Sequence, residues 1–254
     1  MTRPAVLALL AFWLAPAAQA PPVELDFVPV GVRYATNAEP ARRTIDLDAI
    51  RRARFNAAAA APDAAGQTTV LTRLDRPAAS QPPVSLVIRS SDVGIVPITT
   101  TTSAETVRET AWTLYARGAR GVIFDDWSSL QQNAAAFTEA SAFSEAITRN
   151  MALYAPLRHV EPAGARAFML KGGQDSVEAH WLESADALLL IAVNHAAESR
   201  SVTFTFPPEI PEAVWQNMLS GGSVNFVAGP TGPFYEHTVP AHDVMVLMIR
   251  KRWK

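Results

Sequence analysis

Gly121-Val122-Ile123-Phe124-Asp125-Asp126-Trp127 reads as a buried strand that runs out of apolar residues as it meets two carboxylates and an indole. Upstream, residues 94–98 form a second short apolar run. Residues 103–117 between them carry Val107, Ala111, Trp112, Leu114 and Tyr115 at the spacing of one helix face. The pattern predicts a strand-helix-strand unit. Thr102 and Glu105 stand at capping-box spacing for the helix start, and Gly118 is placed to stop the helix in a left-handed turn.

A continuous apolar strand followed by a helix is typical of parallel sheets covered on both faces. In such folds the loops at the carboxyl ends of the strands converge over one rim, and function gathers there. Asp125, Asp126 and Trp127 are expected on that rim. The competing reading is structural: one aspartate caps the next helix and Trp127 belongs to the core.

The 254 residues are 49% hydrophobic with a net charge of -2, enough for one large domain or two modest ones. The slightly acidic balance lacks the basic footprint that nucleic acid requires, so no nucleic-acid partner is expected. Arg3, the apolar residues 5–15 and Ala18-Gln19-Ala20 have the form of a secretory signal with a small-x-small cleavage site, predicting a leader over 1–20 and a secreted or periplasmic product. The apolar run is short for a bilayer, and no later stretch is longer, so no membrane span is expected after cleavage. With no cysteine, the chain has neither disulfides nor thiolate-held metals.

Residues 27–34 read as a strand ending in a loop that carries Glu39, and 45–54 as an amphipathic helix. The alanine-rich stretch 55–61 favours helix by propensity. Its position between that helix and Pro62 makes a buried strand the better assignment. Strands are expected at 68–74 and 84–89, and a helix at 134–154. From about residue 160 eight short β-rich runs follow without helices, at 167–171, 177–182, 187–193, 201–206, 214–218, 224–227, 234–239 and 244–249. They predict an antiparallel β-sandwich over 164–254, with the boundary at 158–164.

Gly31-Val32-Arg33-Tyr34 with Glu39 and residues 45–56 resembles the first strand, helix and second strand of a glycoside hydrolase barrel of the β-galactosidase-like kind. Residues 112–127 are similar to the last helix-strand unit of such barrels. The β-rich half, with Ala192-Val193-Asn194-His195 and residues 240–249, resembles their carboxyl-terminal sandwich. The resemblance implies a carbohydrate substrate or ligand, with Trp127 as the stacking floor for a sugar ring and Tyr34 and Asn37 as further substrate-binding candidates.

The sequence departs from that pattern where the catalytic pair belongs. The penultimate strand ends in Val96-Pro97-Ile98-Thr99-Thr100 without a glutamate, and no Asn-Glu pair occurs in the barrel-like half. Residues 21–155 are also too few for eight strand-helix units, which take about 250 residues, so the domain expected over 21–158 is a shortened one. The expected fold is therefore α/β plus all-β: a shortened or incomplete TIM-barrel-like domain of five or six strands, followed by the sandwich.

The remaining catalytic candidates are Asp125, Asp126 and Glu39, with Asp63 a weaker fourth; two of them would have to divide acid and base roles. The five histidines lie in or next to the β-rich half, away from metal-ligand spacing, and nothing calls for a cofactor or a metal. Ser90-Ser91-Asp92 lacks the glycines of a nucleophile elbow. Two readings follow: a carbohydrate-active protein, weakly hydrolytic or reduced to glycan binding, or a non-catalytic interaction protein whose incomplete sheet is completed in a homo-oligomer.

Overall fold

The computed structural model describes residues 25–34, 40–75, 85–160, 169–208, 210 and 214–251. The leader expected at 1–20 lies outside them. The first half contains β1 (Val30–Arg33), α1 (Pro40–Arg52), β2 (Ala57–Ala59), β3 (Thr68–Arg73), β4 (Ser85–Arg89), a 3-10 turn (Ser90–Asp92), β5 (Val93–Pro97), α2 (Ala104–Ala116), β6 (Gly121–Asp125), α3 (Trp127–Gln132), α4 (Ala134–Arg149) and α5 (Met151–Tyr154).

These strands form one mixed sheet in the order β4-β3-β2-β1-β6-β5. The β2-β1-β6-β5 part is parallel, and β3 and β4 are added antiparallel. On β6, Val122 and Phe124 enter the core under the helices, and Ile123 enters a second core on the opposite face. Both faces are covered, so the strand reads as an unbroken apolar run. The alanines of β2 pack so close to β1 that a Cβ on Gly31 would meet the Ala57 carbonyl oxygen at 2.3 Å.

The edge strands β4 and β5 stand at opposite ends of the order, yet only three residues separate them in sequence. A flat six-stranded sheet would hold its edges about 24 Å apart, whereas the chain from Arg89 to Val93 reaches at most about 14 Å. The sheet therefore curls strongly, as an open half-barrel does. Its inner face is filled by Leu71, Ile88, Val93 and Ile123, with Leu25 and Phe27 of the preceding segment. The Arg73 guanidinium lies 4.2 Å from the centroid of the Phe27 ring.

Local chemistry sets the helix ends, with one shift from expectation. Ser103, not Thr102, caps α2, accepting from the Thr106 amide at 3.1 Å; the Thr102 hydroxyl instead accepts from the Thr99 amide at 2.8 Å within the preceding turn. Gly118 ends the helix at φ +99°, as its sequence position predicts. The single helix expected at 134–154 breaks at Asn150 into α4 and α5.

The second half contains β7 (Arg158–Val160), β8 (Met169–Lys171), β9 (Val177–Glu183), β10 (Ala187–Asn194), β11 (Arg200–Thr205), β12 (Trp215–Asn217), β13 (Ser223–Val224), β14 (Phe234–Val239) and β15 (Val244–Arg250). A six-stranded sheet, β13-β12-β15-β10-β9-β7, faces a three-stranded one, β14-β11-β8. Every ladder in both is antiparallel. The strand expected at 224–227 shrinks to Ser223–Val224, and Val227 keeps only an isolated bridge to Phe234. Between the sheets Trp181 and Trp215 stack at 5.8 Å.

The other face of the larger sheet packs on the helices. Leu189, Ile191, Val193 and Val246 share a core with Trp112 and Ala116 of α2, while Leu190, Ala192 and Leu247 face the smaller sheet. This explains why β10 is buried along its whole length, where a sandwich strand with one wet face would alternate. Among the described residues no helix is long and apolar enough to cross a membrane.

Asn56 joins the halves of the mixed sheet at the start of β2. Its buried amide accepts from the Val30 N–H at 2.7 Å and donates to the Val28 carbonyl at 2.9 Å. Asn56→Ala leaves a donor and an acceptor stranded, each worth about 1–3 kcal/mol. The expected loss on urea unfolding is about 2–4 kcal/mol, and a loss within error of zero would show that water replaces the side chain.

Candidate functional site

Asp125 is the last residue of β6 and Arg33 the last of β1, one strand over. Both point to the face opposite the helices, as the parity of Ile123 and Gly31 requires. There they form an ion pair, with side chains 25% (Arg33) and 29% (Asp125) exposed. The Arg33 Nε is buried and, among the described residues, has no hydrogen-bond partner. Arg33 was not among the candidates read from sequence. The signal for it was a charge ending an otherwise apolar strand on the inward parity.

Asp126 takes the structural role. Its carboxylate accepts from the Ser129 amide at 2.6 Å and caps α3. The Asp125-Asp126 peptide bond is cis. Because α3 starts at once, Trp127 is carried to the helix side of the sheet. Its ring sits 6.4 Å from Phe55, edge to face, and 6.2 Å from Phe137, and the residue is only 6% exposed. The indole thus packs among aromatic core residues, whereas the family resemblance implied a stacking floor for a sugar.

Tyr34 likewise turns inward. It is buried, and its hydroxyl donates to Asp46 at 2.8 Å, tying β1 to α1. Burial, and then the Asp46 carboxylate, pushes this hydroxyl above its ordinary range. Asp63 shapes the loop from β2 to β3: its carboxylate accepts from the Thr68 hydroxyl at 2.8 Å and the Gln67 amide at 2.7 Å. The Thr68 bonds, with that of Gln67, hold it below the usual carboxylate range. Glu39 and Asn37 lie outside the described residues. The structure thus leaves Asp125, joined by Arg33, as the sequence-derived carboxylate that faces the concave side.

Two cavities of about 560 and 530 Å³ open elsewhere. The first lies beside Asn56 and Leu74, at the amino-terminal end of the strands, between Arg54 and Glu145; the second flanks α5 near Arg250. Neither includes Asp125, Asp126 or Trp127. Among the described residues no group of three or more acidic or histidine side chains is arranged to hold a metal ion. Four histidines that look isolated in sequence do converge: His159 and His180 are 3.2 Å apart, and His195 and His242 both reach Glu109.

The chain matches no family model, and no curated protein sequence matches it. Similar solved structures include an α-amylase from Geobacillus thermoleovorans complexed with acarbose, at 10% identity and TM-score 0.43 over 59% of this chain and 34% of that one. A GH30 endoxylanase from Clostridium papyrosolvens gives 11% identity and TM-score 0.39 over 61% and 39%. A GH42 β-galactosidase from G. stearothermophilus gives 13% and TM-score 0.24 over 33% and 10%. This chain therefore spans well under half the length of the structures it resembles.

Burial of the indole makes Trp127 a stability residue. Trp127→Ala is expected to cost about 3–5 kcal/mol in urea unfolding, and Asp126→Ala about 1 kcal/mol through the lost cap. A Trp127→Ala protein as stable as wild type would place the ring outside the core.

Proposed function

We propose that this is an exported, catalytically degenerate glycan-binding protein of glycoside-hydrolase-like build, whose ligand engages Arg33 and Asp125 at the carboxyl ends of β1 and β6. The observation that carries the reading is the partly exposed guanidinium-carboxylate pair at the ends of two neighbouring strands. Sugar hydroxyls donate and accept at once. A carboxylate supplies acceptors and a guanidinium supplies donors in fixed planar directions, so the pair suits vicinal hydroxyls or a sugar carboxylate.

Hydrolysis is the weaker reading on geometry. It needs two carboxyl groups flanking the scissile bond, about 5–5.5 Å apart for retention or about 6.5–9.5 Å for inversion. Asp126 is engaged at a helix start, and the Asp63 carboxylate is bound into its own loop. The signal-like composition of residues 1–20 and the family resemblance of residues 31–34 and 112–127 support the extracytoplasmic, carbohydrate-directed part of the proposal.

A glycan array followed by calorimetric titration tests it, alongside aryl-glycoside hydrolysis. Wild type is expected to bind at least one glycan class without turnover. Asp125→Asn and Arg33→Met should each weaken binding about tenfold or more, or about 1.4 kcal/mol. Absence of any glycan binding, or unchanged affinity in both variants, overturns the site; turnover by wild type overturns the degeneracy.

A further inference from the structure

The seam between α2 and the six-stranded antiparallel sheet carries an unbroken run of titratable side chains. Glu109 comes from α2, Arg117 from the cap that follows it, Glu178 and His180 from β9, and His159 from β7. His195 follows β10, and His242 precedes β15. The Glu109 carboxylate meets His242 Nδ1 at 2.5 Å with one oxygen and His195 Nδ1 at 2.9 Å with the other. The far nitrogen of His195, Nε2, lies 3.5 Å from Glu178. Glu178 accepts from Arg117 at 2.6 and 2.7 Å and meets His180 Nε2 at 2.5 Å; His180 Nδ1 in turn meets His159 Nε2 at 3.2 Å.

His195 is the informative member. A neutral imidazole has one N–H and one lone pair, so it satisfies one carboxylate and turns a lone pair on the other. A ring held between two carboxylates matches an imidazolium, which donates from both nitrogens. His242 adds a second observation: it stands at φ +53°, a left-handed conformation that glycine would adopt without strain. An imidazole is kept there, pointed at Glu109.

We propose that this chain of residues is a pH-responsive clasp that grips the antiparallel sheet to α2 more tightly when His195 and His242, the two imidazoles that meet Glu109 of α2, are protonated. Other charges face it from each packed element. On α2, Glu105 lies near His242, and Arg108 pairs with Glu139 of α4 and lies 3.6 Å from Asp243 in the turn before β15. Burial raises the Glu178 carboxyl, but Arg117 and then His180 outweigh it and hold the group at about 2. Glu178 therefore stays ionised, and able to hold an imidazolium, well into acid.

The stabilisation that Glu178 draws from Arg117 is present above the usual glutamate value, about 4.3, and fades only as pH falls towards 2, so it is constant between pH 5.5 and 8. His237, on β14 and outside the seam, has its pKa lowered by burial, so it favours the neutral form and opposes the trend.

The test compares thermal midpoints at pH 5.5 and 8 in wild type, Glu109→Gln and His195→Gln, so that His237 and the other carboxylates cancel in the difference. On lowering the pH, wild type is expected to gain about 2–4 °C relative to either variant. Equal pH dependence in all three overturns the clasp. If the variants fail to fold, native-state hydrogen exchange on wild type replaces them. Protection of the α2 and β9 amides, corrected for intrinsic rates, should be higher at pH 5.5 than at pH 8; protection that is flat or falls towards acid overturns the proposal.

Discussion

Three residues decide the shape of the first half. Ser90–Asp92 bridge two strands that the hydrogen-bond order puts at opposite edges, so the sheet has to curl and its concave side has to be small. A small interior can be filled by side chains alone, and here Leu71, Ile88, Val93, Ile123 and Phe27 fill it. The consequence for function is direct. The proposed ligand would therefore meet the protein not between the strands but at the carboxyl rim, where the apolar alternation ends in Arg33 and Asp125.

The second organising fact is that the large antiparallel sheet is a middle layer. Its two faces enter different cores, one shared with α2 and one with the smaller sheet. An apolar seam of this kind gives most of the adhesion through burial, which is non-directional. The polar margin at Glu109, His195 and Glu178 therefore adds little to the gross energy. The proposed clasp would act on that margin alone, since the apolar part holds the two layers together in either charge state.

Much of the fold was legible in the residues. The helix around Trp112, the strand at Gly121–Asp125 and the buried alanine strand at Ala57–Ala59 all appear where apolar spacing and turn residues put them. The destination of Trp127 was not legible. Strand parity continued from Ile123 and Asp125 would put residue 127 on the concave side. That parity fails one residue earlier, because Asp126 caps a new helix and rotates the indole to the other face. The histidine seam was invisible for a different reason. Its members lie on separate strands and turns, and only the pairing of β7 with β9 and the packing of β9 and β10 on α2 bring them together.

Stability alone does not account for the charged pair at the rim. An ion pair with side chains about a quarter exposed contributes little, about 0–1 kcal/mol. Two apolar residues at these inward positions would extend the core of Ile123 and Leu71 by another layer, a replacement that is commonly neutral or stabilising. A chain selected for folding alone gains nothing from Arg33 and Asp125. Under the proposed glycan-binding reading, a ligand at the rim gives the two side chains a use that packing does not.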